Sequence, residues 1–147
     1  MNREHALFDT SRCVAAGASD TSSALVALDA SMVIRNSSGE QVVSAEEFFV
    51  GPANDIENTT VLRPGDILVA VRIPNTWAGS NFYWEKIADR NVWDFSLVNI
   101  AAAFKVSEGN VTDSRIVAGA VQTTPRRLTN VENAIQGQPK NCLLYTS

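Results

Sequence analysis

Hydrophobic and polar positions along this chain group into short runs whose period changes several times. Near the start, Cys13 to Ala16 reads as a short buried strand, and Gly17-Ala18-Ser19 as a tight turn. A helix over Thr21–Ala30 follows. Leu25 and Leu28, with Ala24 and Val26 beside them, give it an apolar face, and Asp20 is placed to cap it. Ser31–Arg35 and Glu40–Val43 flank the turn cluster Asn36-Ser37-Ser38-Gly39, the signature of a β-hairpin. Ser44 then caps a short helix over Ala45–Phe49. Gly51–Thr60 is polar and loop-like, and Thr59–Leu62 resumes extended structure. Arg63-Pro64-Gly65-Asp66 is a turn. Ile67–Ile73 alternates only partly, which predicts a strand covered on both faces. Thr76–Ser80 reads as a linker between two lobes.

The second lobe is patterned as antiparallel strands and one helix. Asn81–Ile87 is a strand carrying Phe82, Tyr83 and Trp84. Phe95–Val106 and Val111–Val121 form a pair around the turn Ser107–Asn110. Ala101-Ala102-Ala103 favours helix locally. The turn and the Val/Ile-rich partner decide for strand. Leu128–Ile135 is an amphipathic helix, capped by Thr129 or the preceding turn and stopped by Gly137 and Pro139. The class is α+β.

One junction carries most of the candidate chemistry. Between Lys86 and Asp94 the chain packs two cations, two carboxylates and an indole into nine positions, then passes into an almost wholly apolar run ending at Phe104. A polar cluster feeding a buried element is one way to hold charges at the edge of a cleft, although a solvated turn before a strand has the same pattern.

Composition narrows the function classes. The 147 residues are 45% hydrophobic and 19% charged, as in an ordinary globular protein, with net charge −4. No Lys/Arg block exists, which argues against nucleic-acid binding. No apolar run approaches the ~20 residues of a membrane helix. Two cysteines, Cys13 and Cys142, and one histidine, His5, fall short of the about four ligands of a zinc or iron–sulfur site. A hydrolase triad would have to rely on His5, in a polar terminal stretch. The first twelve residues lack the apolar core of a signal peptide, which points to the cytoplasm, or to the periplasm if a partner carries the chain there. The triplets at Asn36, Asn58 and Asn110 then mark surface turns. Lys140–Ser147 continues no pattern, so 138–147 reads as a truncated or non-native tail.

Several pieces, in order, resemble the FAD-binding medium subunit of the molybdenum hydroxylases, the xanthine, aldehyde and carbon-monoxide dehydrogenase group; the nearest sub-type is that of bacterial periplasmic aldehyde oxidoreductases. They are Asn2–Phe8, Ser19-Asp20 with Ala24–Ala30, Glu47-Phe48-Phe49, Thr60–Leu68, Lys86–Arg90 with Asp94–Val98, Gly119–Val121 and Pro125-Arg126. The resemblance implies that 1–75 is the end of a PCMH-type FAD-binding domain. It makes 80–137 a small antiparallel-sheet-plus-helix C-terminal domain. It also implies FAD as cofactor, with Gly-rich phosphate loops and a cysteine-rich iron–sulfur insertion upstream of the matched part. Partners would be a molybdopterin-binding large subunit and a 2Fe-2S small subunit.

By the same resemblance Lys86 is the lysine at the flavin ring, and Leu62 the apolar residue packed on it. Asp20, with Ser19 beside it, bonds polar parts of FAD, and Arg90 and Asp94 form a charged loop that shapes access for the electron acceptor. Each has a plainer reading: a helix cap for Asp20, a solvated strand end for Lys86, core for Leu62, a surface ion pair for Arg90 and Asp94. Trp77, Trp84 and Trp93 read as packing residues and Cys13 as a small buried hydrophobe. A non-enzymatic α+β interaction module that has lost its flavin is the alternative to an oxidoreductase subunit. Flavin absorbance in a purified complex separates the two.

Overall fold

A computed structural model describes residues 6–8 and 15–140. In chain order the elements are α1 (Asp20–Ala27), β1 (Ser31–Asn36), β2 (Gly39–Ser44), α2 (Ala45–Phe48), β3 (Ile67–Arg72), β4 (Asn81–Ile87), β5 (Val98–Ser107), β6 (Asn110–Gly119), β7 (Arg126–Arg127) and α3 (Thr129–Ile135). The strands form two antiparallel sheets, ordered β2-β1-β3 and β4-β5-β6-β7, so the α+β class holds.

Both hairpins form where the turn residues place them. Asn36 pairs with Gly39, leaving Ser37 and Ser38 as the loop, and Asn36 Oδ1 accepts the Ser38 N–H at 2.8 Å. In the β5–β6 turn Glu108 and Gly109 both take positive φ, 51° and 82°, the conformation that matches strand twist in a two-residue connection. Ser44 Oγ accepts the Glu47 N–H at 3.2 Å and donates to Glu47 Oε2 at 2.8 Å, which fixes the start of α2.

Helix α1 lies across the second sheet. Val26, Ala27 and Ala30 pack with Ala45 and with Ala101 of β5 and Val117 of β6. Covering a valine such as Val26 contributes about 1.5–3 kcal/mol relative to exposure. The alanine run at 101–103 is strand: Ala101 and Ala103 share one face of the pleat, and Ala101 packs in the cluster with α1, where a larger residue would hold the helix off the sheet. A second cluster, Met32, Ile34 and Phe48, is flanked by Leu25, Val43, Val61 and Leu62.

Several expectations are corrected. The cap of α1 is Ser19, whose Oγ accepts the Ser22 N–H at 3.2 Å; Asp20 is the first helical residue. The buried face of α1 includes Ser22 and Ser23, whereas Leu25 and Leu28 are only partly covered. Strand β3 is not covered on both faces: it is an edge strand and every one of its residues is exposed. Thr60 makes only an isolated bridge, to Phe49. The linker region contains buried Trp77, with the Lys105 ammonium 4.6 Å from its ring centroid. Trp84 is 46% exposed and Trp93 98%, so neither packs in a core. Strand β5 starts at Val98, after Phe95 to Leu97. Helix α3 has no side-chain cap, and its buried residue is Glu132 rather than an apolar stripe. Ala15 is exposed, while Cys13, Val14, His5 and Cys142 lie outside the described residues.

Candidate functional site

Sheet register places the central lysine. Lys86 of β4 stands opposite Asn99 of β5, and Asn99 opposite Gly119 of β6, so the three form one row across the sheet on a single face. Helix α1 crosses that face. Asp20 and Ser23, one turn apart on the helix, both look onto the row. Lys86 Nζ donates to Asp20 Oδ2 at 2.7 Å and to the Asp94 carbonyl at 2.6 Å. Ser96 Oγ donates to the other Asp20 oxygen at 2.5 Å. Asn99 Nδ2 donates to Ser96 Oγ at 3.1 Å, and Ser23 Oγ donates to Asn99 Oδ1 at 2.6 Å.

The loop after β4 folds back on a second set of bonds. Asp94 Oδ2 accepts the Arg90 N–H at 2.9 Å and Oδ1 accepts the Phe95 N–H at 3.0 Å. The Arg90 guanidinium reaches the Trp93 carbonyl at 3.1 Å and lies 3.6 Å from Asp94 Oδ1. Trp93 itself has φ 49°, in the left-handed region, with its side chain in solvent. Together Lys86, Ile87, Ala88, Arg90, Asn91, Val92, Trp93 and Asp94 line a hollow of about 400 Å³. Its wall is part apolar and part cationic.

Electrostatics follows the bonds. The hydrogen bond from Lys86, then that from Ser96, holds the Asp20 carboxyl below its ordinary range, against the opposing effect of burial. For Asp94, burial pushes the carboxyl up; the Arg90 N–H, the Arg90 charge and the Phe95 N–H more than offset it, and the net direction is down. Both carboxylates are charged at neutral pH.

Of the six candidate residues, Asp20, Lys86, Arg90 and Asp94 come together here. Ser19 is next to Asp20, but its hydroxyl caps α1. Leu62 lies elsewhere, against the Met32–Ile34–Phe48 cluster and on a separate hollow of about 210 Å³ with Val61 and Arg63. Sequence reasoning passed over Ser96, Asn99 and Ser23. The signal was present: Ser96 and Asn99 are the two polar residues in the otherwise apolar run from Phe95 to Phe104, and a buried polar side chain needs a partner.

Two family descriptions match the chain. Residues 11–76 match the FAD binding domain in molybdopterin dehydrogenase, and residues 84–144 the CO dehydrogenase flavoprotein C-terminal domain. The chain belongs to the FAD-binding subunit family of the molybdenum hydroxylases. Within this family it is 29% identical over 124 residues to the glyceraldehyde dehydrogenase medium chain of Sulfolobus acidocaldarius, covering 84% of this chain and 42% of that relative. It is 30% identical over 130 residues to the aldehyde oxidoreductase FAD-binding subunit of Escherichia coli K12, covering 87% and 39%. The fold matches a carbon monoxide dehydrogenase from Hydrogenophaga pseudoflava with a TM-score of 0.74 at 26% identity, over 84% of this chain and 41% of that one. The chain thus spans about two fifths of the length of these flavin subunits. No helix among the described residues is long and apolar enough to cross a membrane.

Proposed function

We propose that this chain supplies the ring-facing part of the FAD site in an oxidoreductase of the molybdenum hydroxylase type. The observation that carries the reading is the Lys86 ammonium, fixed by Asp20 and the Asp94 carbonyl at the wall of the hollow. An ammonium has three N–H donors, and these acceptors use two of them, which leaves one for a ligand in the hollow. The donor set suits the cofactor: Val92 and Ile87 offer apolar wall to a flat ring, and Lys86 and Arg90 offer donors to its polar edge. FAD, when bound, accepts and passes on electrons, and a cation at the ring favours the electron-rich form. The chain's own part is to hold that cation and to keep Arg90 and Asp94 at the mouth. Asp20 serves as the counter-charge of Lys86, and Ser19 fixes the helix end from which Asp20 projects. Leu62 belongs to the same proposal as an apolar contact on the first lobe.

In the assembled protein, electrons from a molybdopterin-bearing large subunit would pass through a 2Fe-2S small subunit to the flavin held here, then to an acceptor. Lys86→Gln in the whole complex tests the reading. Rapid-mixing kinetics should show altered flavin reduction and reoxidation while subunit assembly is retained. Flavin kinetics unchanged from the parent refute the assignment.

A further inference from the structure

The charge pair at the hollow is tied to a polar chain running inward, whose members have no apolar neighbour's reason to be there. Asn99 is 1% exposed, Ser23 is fully buried, and Ser96 is buried between them and Asp20. All of these bonds have a fixed direction. A serine hydroxyl has one proton to give. Asp20 is a carboxylate and only accepts, so the Ser96 proton must go to it, and Ser96 Oγ must therefore accept from its other neighbour. Of the two ends of the Asn99 amide, only the NH2 can supply that bond. Asn99 provides it with Nδ2, and its Oδ1 is then turned toward Ser23, which donates to it. The reversed amide would take the Ser96 proton away from Asp20. An asparagine is suited to this place because it offers a donor on one side and an acceptor on the other.

Space reinforces direction. Gly119 stands opposite Asn99 in the register, and a Cβ there would lie 2.2 Å from Asn99 Oδ1. The absence of a side chain at 119 makes room for the amide. The chain also joins the two family segments: Ser23 and Asp20 belong to the first, Lys86, Ser96 and Asn99 to the second.

We propose that Ser96 and Asn99 are positioning residues that set the location of the Lys86 ammonium through Asp20. Asp20 is partly open to solvent, and with one oxygen pinned from inside by Ser96 its other oxygen is held toward Lys86. Without that pin the carboxylate turns toward water and Lys86 keeps only the Asp94 carbonyl. The positioning stands on geometry alone; its consequence for the cofactor rests on the flavin reading above.

The test uses the whole protein that carries this chain. In its flavin-free form, acylation by an amine-reactive reagent is followed at Lys86 by peptide mass spectrometry, with Lys105 and Lys140 as internal references. Ser96→Ala and Asn99→Ala should speed acylation of Lys86 roughly threefold or more, the scale of one lost hydrogen bond, and leave the two references unchanged. Ser96→Thr, which keeps the hydroxyl, should restore protection. No change at Lys86, or an equal rise at all three lysines, overturns the proposal. In the flavin-loaded form, Ser96→Ala should move the flavin midpoint potential in the same direction as Lys86→Gln. If Lys86→Gln moves it and Ser96→Ala affects neither acylation nor potential, the positioning fails alone. If acylation responds but neither variant moves the potential, the positioning holds and the flavin reading fails.

Discussion

The two ends of α1 are both tied down by ion pairs, and they are built for different ends. At the C-terminal end, Arg115 Nε and Nη2 donate to the Val26 carbonyl at 3.1 and 2.8 Å, and Arg115 lies 3.3 Å from Asp29 and 3.4 Å from Glu46. A cation there also meets the negative end of the helix dipole. Next to it, Arg127 grips both oxygens of Glu132, at 2.6 and 3.2 Å, and Glu132 Oε1 accepts the Ile116 N–H at 2.8 Å. Glu132 is buried and Asp29 and Glu46 are half-exposed, but none of these groups lines either of the two hollows described above. At the N-terminal end the pair of Asp20 and Lys86 opens on a hollow, and the inner polar chain holds it from behind. A closed set contributes cohesion, whereas an open set of the same chemistry can meet a ligand.

The sharpest way to break this contrast is at the closed end. Glu132→Ala leaves the buried Ile116 N–H without its acceptor and the Arg127 guanidinium with only Glu46, 3.6 Å away, and should cost about 3 kcal/mol, read from chemical denaturation. The flavin midpoint potential should not move. Arg127, which Glu132 holds above its ordinary value through the hydrogen bond first and the charge second, stays protonated at any working pH, so the loss should be insensitive to mild alkali. Next in size is Gly119→Ala. The new Cβ overlaps the Asn99 amide, and overpacking of this kind costs about 1–3 kcal/mol; acylation of Lys86 should rise as well, which Glu132→Ala should not cause.

Acid sharpens the comparison more gently. The folded value of Asp20 lies below its reference of 3.8, so its contribution to stability is complete above that reference and fades as pH falls through the lower folded value. Asp20→Asn should therefore flatten the fall in denaturant midpoint below about pH 4 without removing it. The smallest effect is expected at the first hairpin. Glu40 pairs with Arg35 at 2.8 Å and Arg72 at 3.3 Å, all in solvent, and Glu40→Ala should leave the denaturant midpoint unchanged.

How far the sequence showed this depends on the kind of information each feature needs. Turns and hairpins were legible because Asn36 to Gly39, Arg63 to Asp66 and Ser107 to Asn110 carry their geometry locally. The polar cluster after Lys86 was legible as a cluster. The partner of Lys86 was not derivable from spacing, since Asp20 is far away in the chain and its position at a helix start has a local explanation as a cap. Ser19 took that role, which freed Asp20 for the lysine. Strand β3 misled because an apolar run looks the same whether or not anything covers it; here both faces stay open. Glu132 was hidden by the opposite habit, a charged residue assumed to face water.

The measurement that bears most directly on the central claim is the midpoint potential of the bound flavin in the assembled protein, compared between the parent and Lys86→Gln. A more negative potential is expected in the variant, because a cation that favours the electron-rich ring has been removed. An identical potential in the two proteins would contradict it.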